Sequence, residues 1–120
     1  MKIAIFSDNF YPELSGISDS IITTARELAR RGHTIRFFAP KYAPRDYRKV
    51  GLPPGAHHLH ERISVVRFSS LPYGGPSGQA RIVIPTGLRA HLVREFKPDI
   101  IHAHMIFGVG LEALAAARLL

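Results

Sequence analysis

Apolar and polar positions follow a strand, helix, strand order along the first third of the chain. Residues 3–6 and 34–39 are apolar runs of strand length. Between them, apolar residues recur at helical spacing, at Ile17, Ile21, Ile22, Ala25, Leu28 and Ala29. Arg30-Arg31-Gly32 then supplies a cationic last turn and a glycine stop. The pattern predicts two parallel strands joined by a right-handed helical connection.

The rest of the chain continues this alternation. We predict a third strand at 63–68, a helix from about 86 to 97 with Arg89 exposed, and a fourth strand at 99–104. The fourth strand is apolar until it ends in His-x-His, which favours burial on both faces at the centre of a sheet. Together these elements predict an α/β fold, a three-layer Rossmann-like domain with a mostly parallel sheet.

The last ten residues, 111–120, are strong helix formers that reach the final residue without a glycine or proline stop. A length of 120 residues allows one domain at most. We therefore expect residues 1–120 to be an incomplete domain, followed by further strands and helices in a longer parent protein.

Two segments are predicted to be loops. Residues 69–79 are rich in Pro and Gly and predict only a loop. Residues 41–62 predict a long, mobile loop at the rim of the sheet. The cations and tyrosines of this second loop are Lys41, Arg45, Arg48, Lys49, Tyr42 and Tyr47. Its histidines at 57, 58 and 60 lack carboxylates or thiolates at ligand spacing, so we predict no metal site.

Composition restricts the partners. Lys and Arg number 16 against 9 Asp and Glu, and the net charge of +7 indicates an anionic partner: nucleic acid, an acidic membrane surface or a phosphorylated ligand. No nucleic acid is expected, because recognition-helix and RNA-binding aromatic patterns are absent. The lack of cysteine excludes disulfides and thiol catalysis and fits a reducing cytoplasm. No apolar run reaches about 18 residues, so any membrane contact would be peripheral.

The first strand leads into a polar turn with a single glycine, Gly16, at the predicted start of the helix. Free N–H groups and the helix dipole favour an anion at such a position. A dinucleotide fingerprint needs three glycines and a P-loop needs Gly-Lys-Ser/Thr, and neither is present. Two interpretations of Gly16 remain, and they are equally supported. Gly16 lets a diphosphate approach the backbone, or it is a purely structural turn glycine.

The fourth strand ends in two histidines, His102 and His104, at the edge of the sheet where ligands bind. Alternation along a strand places both side chains on one face. We interpret His102 as a structural residue and His104 as the hydrogen-bonding partner of a polar ligand. No serine elbow, carboxylate pair or Cys/His pair supports hydrolysis.

Two stretches together resemble the amino-terminal half of family 4 glycosyltransferases. One runs from Ile5 to Gly16 and on through a helix that ends in Leu-Ala-Arg-Arg-Gly-His-Thr-Ile at 28–35. The other is Lys-Pro-Asp-Ile-Ile-His-Ala-His at 97–104, with Gly108 or Gly110 beyond it. These are retaining enzymes with two facing Rossmann-like domains, the GT-B fold. The resemblance implies that residues 1–120 are the acceptor-side part of this architecture and that the carboxyl-terminal donor domain is absent.

The resemblance also implies a reaction and its residues. A hexosyl group would pass with retention from a nucleotide-diphosphate sugar to a lipid or glycan acceptor, with no cofactor or metal. His104 matches the family's active-site histidine. The donor diphosphate would contact Ser15, Gly16 and Ile17, although the family often has a second glycine where Ser15 stands. From their loop position alone, Asp8, Asn9 and Tyr11 are assigned to the acceptor side.

Alternatives to this interpretation stay open. Half of a sugar-nucleotide epimerase shares the architecture, but residues 98–104 favour the transferase. A non-catalytic ligand-binding or interaction module, with the donor domain supplied in cis or in trans, is the alternative from another class. The basic, tyrosine-containing stretch 41–49 suits peripheral contact with an anionic membrane on the cytoplasmic side, and a solvated rim is the preferred explanation of the same residues. The 120-residue chain alone is expected to be inactive.

Overall fold

The computed structural model describes residues 1–12, 16–49, 51, 59–74, 80–84, 89–104 and 108–119. These residues form two sheets and four helices. In chain order the elements are β1 (Lys2–Phe6), α1 (Gly16–Arg30), β2 (Thr34–Pro40), α2 (Pro44–Lys49), β3 (Ile63–Phe68), β4 (Leu71–Gly74), β5 (Ala80–Ile82), α3 (Ala90–Phe96), β6 (Ile100–Ala103) and α4 (Val109–Leu119).

The main sheet is parallel and has the strand order β3-β2-β1-β6. The chain first moves outward from β1 through β2 to β3 and then returns to the other side of β1. The strand order therefore reverses between β1 and β6. In an open α/β sheet, such a reversal separates the loops at the carboxyl ends of the two strands and opens a crevice there. The predicted α/β fold is confirmed, and the crevice lies between the ends of β1 and β6.

The sheet lies between two helical layers, as predicted. On one face, Ile21, Ile22 and Ala25 of α1 pack against apolar side chains of β1 and β2. On the other face, Val93 of α3 and Ala113 of α4 belong to a second cluster with residues of β1, β2 and β3. In this second cluster the rings of Phe6 and Phe38 stack with their centroids 4.6 Å apart.

Helix α1 ends as its sequence predicts. Gly32 has φ +95°, the left-handed conformation that a glycine adopts without steric cost. The N–H of Gly32 donates to the Ala29 carbonyl and the N–H of His33 donates to the Leu28 carbonyl, which is the pairing of a Schellman motif. One residue of the predicted buried face departs from the pattern, since Ile17 in the first turn is 41% exposed.

The prediction of a featureless loop at 41–62 is wrong in its first part. Residues 44–49 form α2, whose start is fixed by the Asp46 carboxylate accepting the Ala43 N–H at 3.0 Å. Tyr42 and Tyr47 are buried rather than exposed. They surround the guanidinium of Arg67, which lies 5.7 Å from the Tyr42 ring centroid and is hydrogen-bonded to Tyr47. The histidines at 57 and 58, which were considered above as metal ligands, lie outside the described residues.

The prediction that 69–79 can only be a loop is also wrong. Leu71–Gly74 pairs antiparallel with Ala80–Ile82 as a separate two-stranded sheet. Pro72 is tolerated there because a two-stranded sheet consists only of edge strands, and the register is irregular between Pro72 and Gly74. The Pro/Gly-rich composition of this segment is typical of a loop and gave no sequence signal for these two strands.

The fourth strand of the prediction, β6, is not buried on both faces. Among the described residues it pairs only with β1, at one edge of the sheet, and Ile100 is 44% exposed. The apolar run matches that of a central strand, but burial depends on neighbours that the run itself does not specify. Helix α3 begins at Ala90, and residues 85–88 lie outside the described residues.

Candidate active site at the carboxyl edge of the sheet

The carboxyl ends of β1 and β6 are held together by backbone pairing. Phe6 is the register partner of Ala103, and the His104 N–H donates to the Phe6 carbonyl at 2.9 Å. The first residues beyond each strand are therefore in fixed positions relative to each other. Asp8 and His104, predicted from separate motifs, are brought to the same edge of the sheet.

The loop after β1 is anchored by Phe10. This side chain is fully buried, packs on the Phe37 ring at a centroid distance of 4.8 Å, and is covered by the Arg67 guanidinium at 4.9 Å. Arg67 also donates to the Pro40 carbonyl, and burial lowers its pKa. The sequence pattern did not indicate this role for Arg67, because a cation near the end of a strand is normally assigned to solvent.

His102 and His104 lie on the same face of β6, as alternation predicts. Their rings are 5.6 Å apart at a tilt of 40°, and Nε2 of His102 is 3.4 Å from Nδ1 of His104. Both side chains line a cleft of about 330 Å³ between β6 and α1, whose floor is apolar and whose α1 side carries the Ser20 and Thr24 hydroxyl groups. Burial, followed by the neighbouring His102, lowers the pKa of His104, so its imidazole is neutral at pH 7.

Gly16 begins α1 and is exposed. A Cβ built on it meets nothing within 4 Å, and its φ is not positive, so neither packing nor backbone geometry in the described structure requires glycine there. The first turn contains exposed Ile17 and one acidic residue, Asp19, whose carboxylate accepts the Tyr11 hydroxyl at 2.8 Å. Ser15 lies outside the described residues.

Asp8 contacts the start of α4. Its Oδ1 accepts the Val109 N–H at 3.0 Å, which satisfies a free donor in the first turn of that helix. Gly108 has φ +47°, and a Cβ at this position would lie 2.5 Å from Asp8 Oδ1. Asp8 Oδ2 is buried and has no hydrogen-bond partner among the described residues, and burial raises the Asp8 pKa. Asp8 thus joins the β1 loop to α4.

Asn9 and Tyr11 complete the β1 loop. The Asn9 N–H donates to Ser7 Oγ at 3.2 Å, while the Ser7 hydroxyl donates to the Asn9 carbonyl at 2.6 Å. The bond from the Tyr11 hydroxyl to Asp19 joins the loop to the first turn of α1 and is the main cause of a raised Tyr11 pKa. Tyr11 and Asp8 therefore connect the β1 loop with the first turns of α1 and α4.

A buried ion pair supports the opposite side of this edge. Glu112 is 2% exposed in the first turn of α4, and its Oε1 accepts Nη1 of Arg89 at 3.0 Å. The Arg89 guanidinium lies 4.8 Å from the Phe68 ring centroid and also donates to the Ile84 carbonyl. The prediction that Arg89 is exposed is therefore wrong, because Glu112 draws it inward. The sequence signal for this ion pair is Glu112, the single acidic residue in the alanine- and leucine-rich stretch 111–120.

Two general observations concern the described residues. No three His, Asp or Glu side chains among them group closely enough to hold a metal ion. No helix that they form has the length and hydropathy needed to cross a membrane. The fold and this edge define an open α/β domain. Domains of this class bind ligands where parallel strands end and helices begin.

Comparisons with known proteins identify the family. The sequence profile of Glycosyltransferase Family 4 matches residues 14–120. The chain is 29% identical over 120 residues to a GDP-mannose-dependent alpha-mannosyltransferase of Mycobacterium tuberculosis, which covers 98% of this chain and 29% of that protein. The protein of that name in Corynebacterium glutamicum is 32% identical over 122 residues, 98% of this chain and 26% of the relative.

An alpha-monoglucosyldiacylglycerol synthase of Streptococcus pneumoniae is 25% identical over 118 residues, 98% of this chain and 24% of that protein. The chain belongs to glycosyltransferase family 4, and the matched region is the amino-terminal part of a GT-B enzyme. It spans less than a third of the length of these relatives. The predicted family and fold are thereby confirmed.

Proposed function

We propose that the protein containing this chain transfers a hexosyl group, with retention, from a nucleotide-diphosphate sugar to a lipid or glycan acceptor. The observation that carries the proposal is that β1, which leads to Gly16 at the start of α1, pairs with β6, whose end carries His104. Relatives named for GDP-mannose make that nucleotide sugar the first donor to test.

The chemistry of transfer suits these groups. As the bond to the diphosphate breaks, positive charge develops on the sugar and negative charge on the leaving diphosphate. Free N–H groups at a helix start, aimed at the diphosphate, stabilise that negative charge. We assign this role to Ser15, Gly16 and Ile17, with no metal or cofactor required. Within the described part of the chain nothing requires glycine at 16 on steric grounds, which supports close approach of a group from outside the chain.

His104 and the β1 loop are assigned to the sugar and the acceptor. A neutral imidazole both accepts and donates one hydrogen bond, which fits recognition of sugar hydroxyl groups. Asp8, Asn9 and Tyr11 are proposed to shape the acceptor side, Asp8 and Tyr11 by fixing the loop against α4 and α1. The donor-binding domain would be supplied elsewhere in the parent protein or by a second chain.

The test uses the full-length protein with a panel of nucleotide sugars and analysis of the anomeric configuration of the product. We expect His104→Ala to lower kcat by about 100-fold or more, the usual loss when a hydrogen-bonding group positioned at the transition state is removed. His33→Ala is the matched control, because His33 lies at the amino edge of the sheet and contacts only the Met1 amino group in the described structure. Equal activity of the two variants would remove His104 from the mechanism, and an inverted product would contradict retention.

Two other functions predict different products. An epimerase would convert the nucleotide sugar without any acceptor, and a binding module would leave it unchanged. The sequence that follows residue 120 in the parent gives an earlier indication. A second Rossmann-like domain with two glutamates eight residues apart, as the family resemblance implies, would support the transferase.

Peripheral membrane contact on the cytoplasmic side is a further part of the proposal. Tyr42 and Tyr47 of the basic stretch 41–49 are buried. The cations Lys41, Arg45 and Arg48 of the same stretch are exposed. The β4-β5 hairpin lies next to them, since the Ser70 hydroxyl donates to the Lys41 carbonyl. Its exposed side chains Leu71, Ile82 and Ile84 are apolar. Cations beside exposed apolar side chains suit the interface of an anionic bilayer.

Vesicle co-sedimentation tests this contact. We expect stronger binding to vesicles with anionic lipid than to neutral ones, and weaker binding for Arg45→Ser/Arg48→Ser. Arg26→Ser/Arg94→Ser removes the same charge from exposed positions elsewhere and is the control. Equal loss in the two double variants would indicate a general charge effect, and no loss in either would contradict the contact.

A further inference from the structure

We propose that His102 is a positioning residue that fixes the ring orientation of His104 through a hydrogen bond to its Nδ1. The proposal rests on the function proposed above, in which His104 faces the sugar. It concerns a residue that the sequence pattern assigned to a structural role.

The structure does not support a structural role for His102. Its side chain is exposed at the edge strand β6, outside both apolar clusters. The backbone at this position is already fixed, because His102 is the register partner of Ile5 and the His104 N–H is bonded to the Phe6 carbonyl. The sheet therefore gains nothing from an imidazole at 102, and the contact that the ring does make is with His104.

That contact determines what His104 can offer to a ligand. Nε2 of His102 lies 3.4 Å from Nδ1 of His104, so a hydrogen bond between them needs one proton on one of the two nitrogens. With Nδ1 of His104 occupied in this way, Nε2 of His104 is the nitrogen left for the cleft. The partner of one ring nitrogen decides whether the other is a donor or an acceptor. His102 thus occupies Nδ1 of His104 and couples the tautomer of one ring to that of the other.

The surroundings contain no competing charge. The side chains that face the pair are Ile3 and Ile5 from β1, Ser20 and Thr24 from α1, and Ile100 from β6. None of them ionises, and the described lining of the cleft contains no carboxylate or guanidinium. A proton placed on both rings would bring two positive charges together, which is the second reason, after burial, for the low His104 pKa.

Two substitutions of His102 distinguish a hydrogen-bonding role from a role that depends only on the volume of the side chain. In His102→Gln the side-chain amide reaches about as far as Nε2 of the imidazole and still hydrogen-bonds Nδ1 of His104. In His102→Leu the volume is similar and the polar group is lost. Both leave the backbone pairing of β6 intact, and because the position is exposed, we expect the thermal midpoints to match that of the wild type.

Kinetics of the full-length protein give the first readout. We expect His102→Leu to lower kcat about 10-fold or more with little change in the KM for the nucleotide sugar, because ring placement matters in the transition state. Without the neighbouring ring the His104 pKa rises, so the acid limb of the pH profile moves to higher pH. His102→Gln restores most of the kcat. Wild-type kcat and an unmoved acid limb in His102→Leu would overturn the proposal.

A second readout does not depend on activity. In full-length protein with ¹⁵N-labelled histidine, two- and three-bond ¹⁵N–¹H correlations report the ring nitrogens of His104, which His104→Ala identifies. We expect the Nδ1 resonance of a hydrogen-bonded ring in the wild type and in His102→Gln, and a shift of that resonance in His102→Leu. An Nδ1 resonance that is the same in the wild type and in His102→Leu would overturn the positioning role even if the enzyme transfers sugar. A shift in His102→Leu in a protein without transferase activity would leave positioning supported and the proposed function contradicted.

Discussion

The two faces of the main sheet are covered to different extents. On the α3/α4 face, stacked phenylalanines, the Arg89–Glu112 ion pair and the Asp8–Val109 bond close the surface around the ends of the strands. On the α1 face, the helix covers β1 and β2 and leaves an open cleft beside β6, with two histidines at its rim. The α3/α4 face, called the closed face below, also leaves a cleft of about 290 Å³ beside β6, but the lining of that cleft is apolar. The α1 face, called the open face below, is the one whose cleft offers histidine and hydroxyl groups to a ligand.

This difference shows how stability and function are divided. On the closed face Arg89 and Glu112 form an ion pair in which Glu112 is buried, so removing Arg89 leaves that carboxylate without its cation. Polar groups on the open face are exposed and lie outside the apolar clusters. Equivalent substitutions on the two faces should therefore affect different properties.

The largest effect is expected from the ion pair. Arg89→Leu leaves Glu112 buried without its cation and is expected to lower the free energy of unfolding by about 3 kcal/mol. Glu112 has further interactions in the structure, which keeps the expected loss at the low end of that class. His102→Leu on the open face is expected to change stability by less than about 0.5 kcal/mol. Urea unfolding followed by far-UV circular dichroism measures both. Equal losses would mean that the faces do not differ in this way.

The second comparison uses two glycines. In Gly108→Ala the new methyl group meets Asp8 Oδ1 at 2.5 Å in a residue with φ +47°, and we expect a loss of about 2 kcal/mol. In Gly16→Ala nothing lies within 4 Å, and alanine favours the helix, so stability is expected to stay within about 0.5 kcal/mol of the wild type.

For Gly16 the expected effect is on donor binding and not on stability. If the diphosphate approaches this backbone, Gly16→Ala raises the KM for the nucleotide sugar in the full-length protein while the thermal midpoint is unchanged. An unaltered KM would leave Gly16 as a residue without a demonstrated role in donor binding. A clear loss of stability in Gly16→Ala would contradict the open packing at the start of α1.

The smallest effect concerns the protonation of Asp8. Burial raises its folded-state pKa above the ordinary 3.8, so the folded protein holds this proton more tightly than the unfolded chain does. The stabilising contribution is therefore fully present below 3.8 and is lost as the pH rises through the folded-state pKa. Asp8→Asn keeps an oxygen for the Val109 N–H and does not ionise.

We expect Asp8→Asn to be more stable than the wild type by about 1 kcal/mol or less at pH 7, with the difference shrinking on acidification. Asp8→Ala is the comparison that removes the helix cap, and it is expected to be about 1 kcal/mol less stable than Asp8→Asn at every pH. Urea unfolding at several pH values measures these differences. A gap between wild type and Asp8→Asn that grows at low pH would contradict a raised pKa.

Local sequence determined much of this protein. The 3–6 and 34–39 runs, the helical spacing that ends at Gly32, and the His-x-His motif predicted the elements and their parallel order, because each depends on side-chain periodicity or on glycine conformation. The same stretches carried the resemblance to the family. His104 and Gly16 were found from these motifs at the edge where the structure places them.

Tertiary structure decided what surrounds each element. Only three-dimensional contacts bury Tyr42 and Tyr47 around Arg67 and pair a Pro/Gly-rich segment as a hairpin. Only they bring Asp8 within 3.0 Å of the Val109 N–H, 101 positions along the chain. Periodicity specifies which face of an element is apolar, whereas burial and charge pairing depend on which distant segment covers that face.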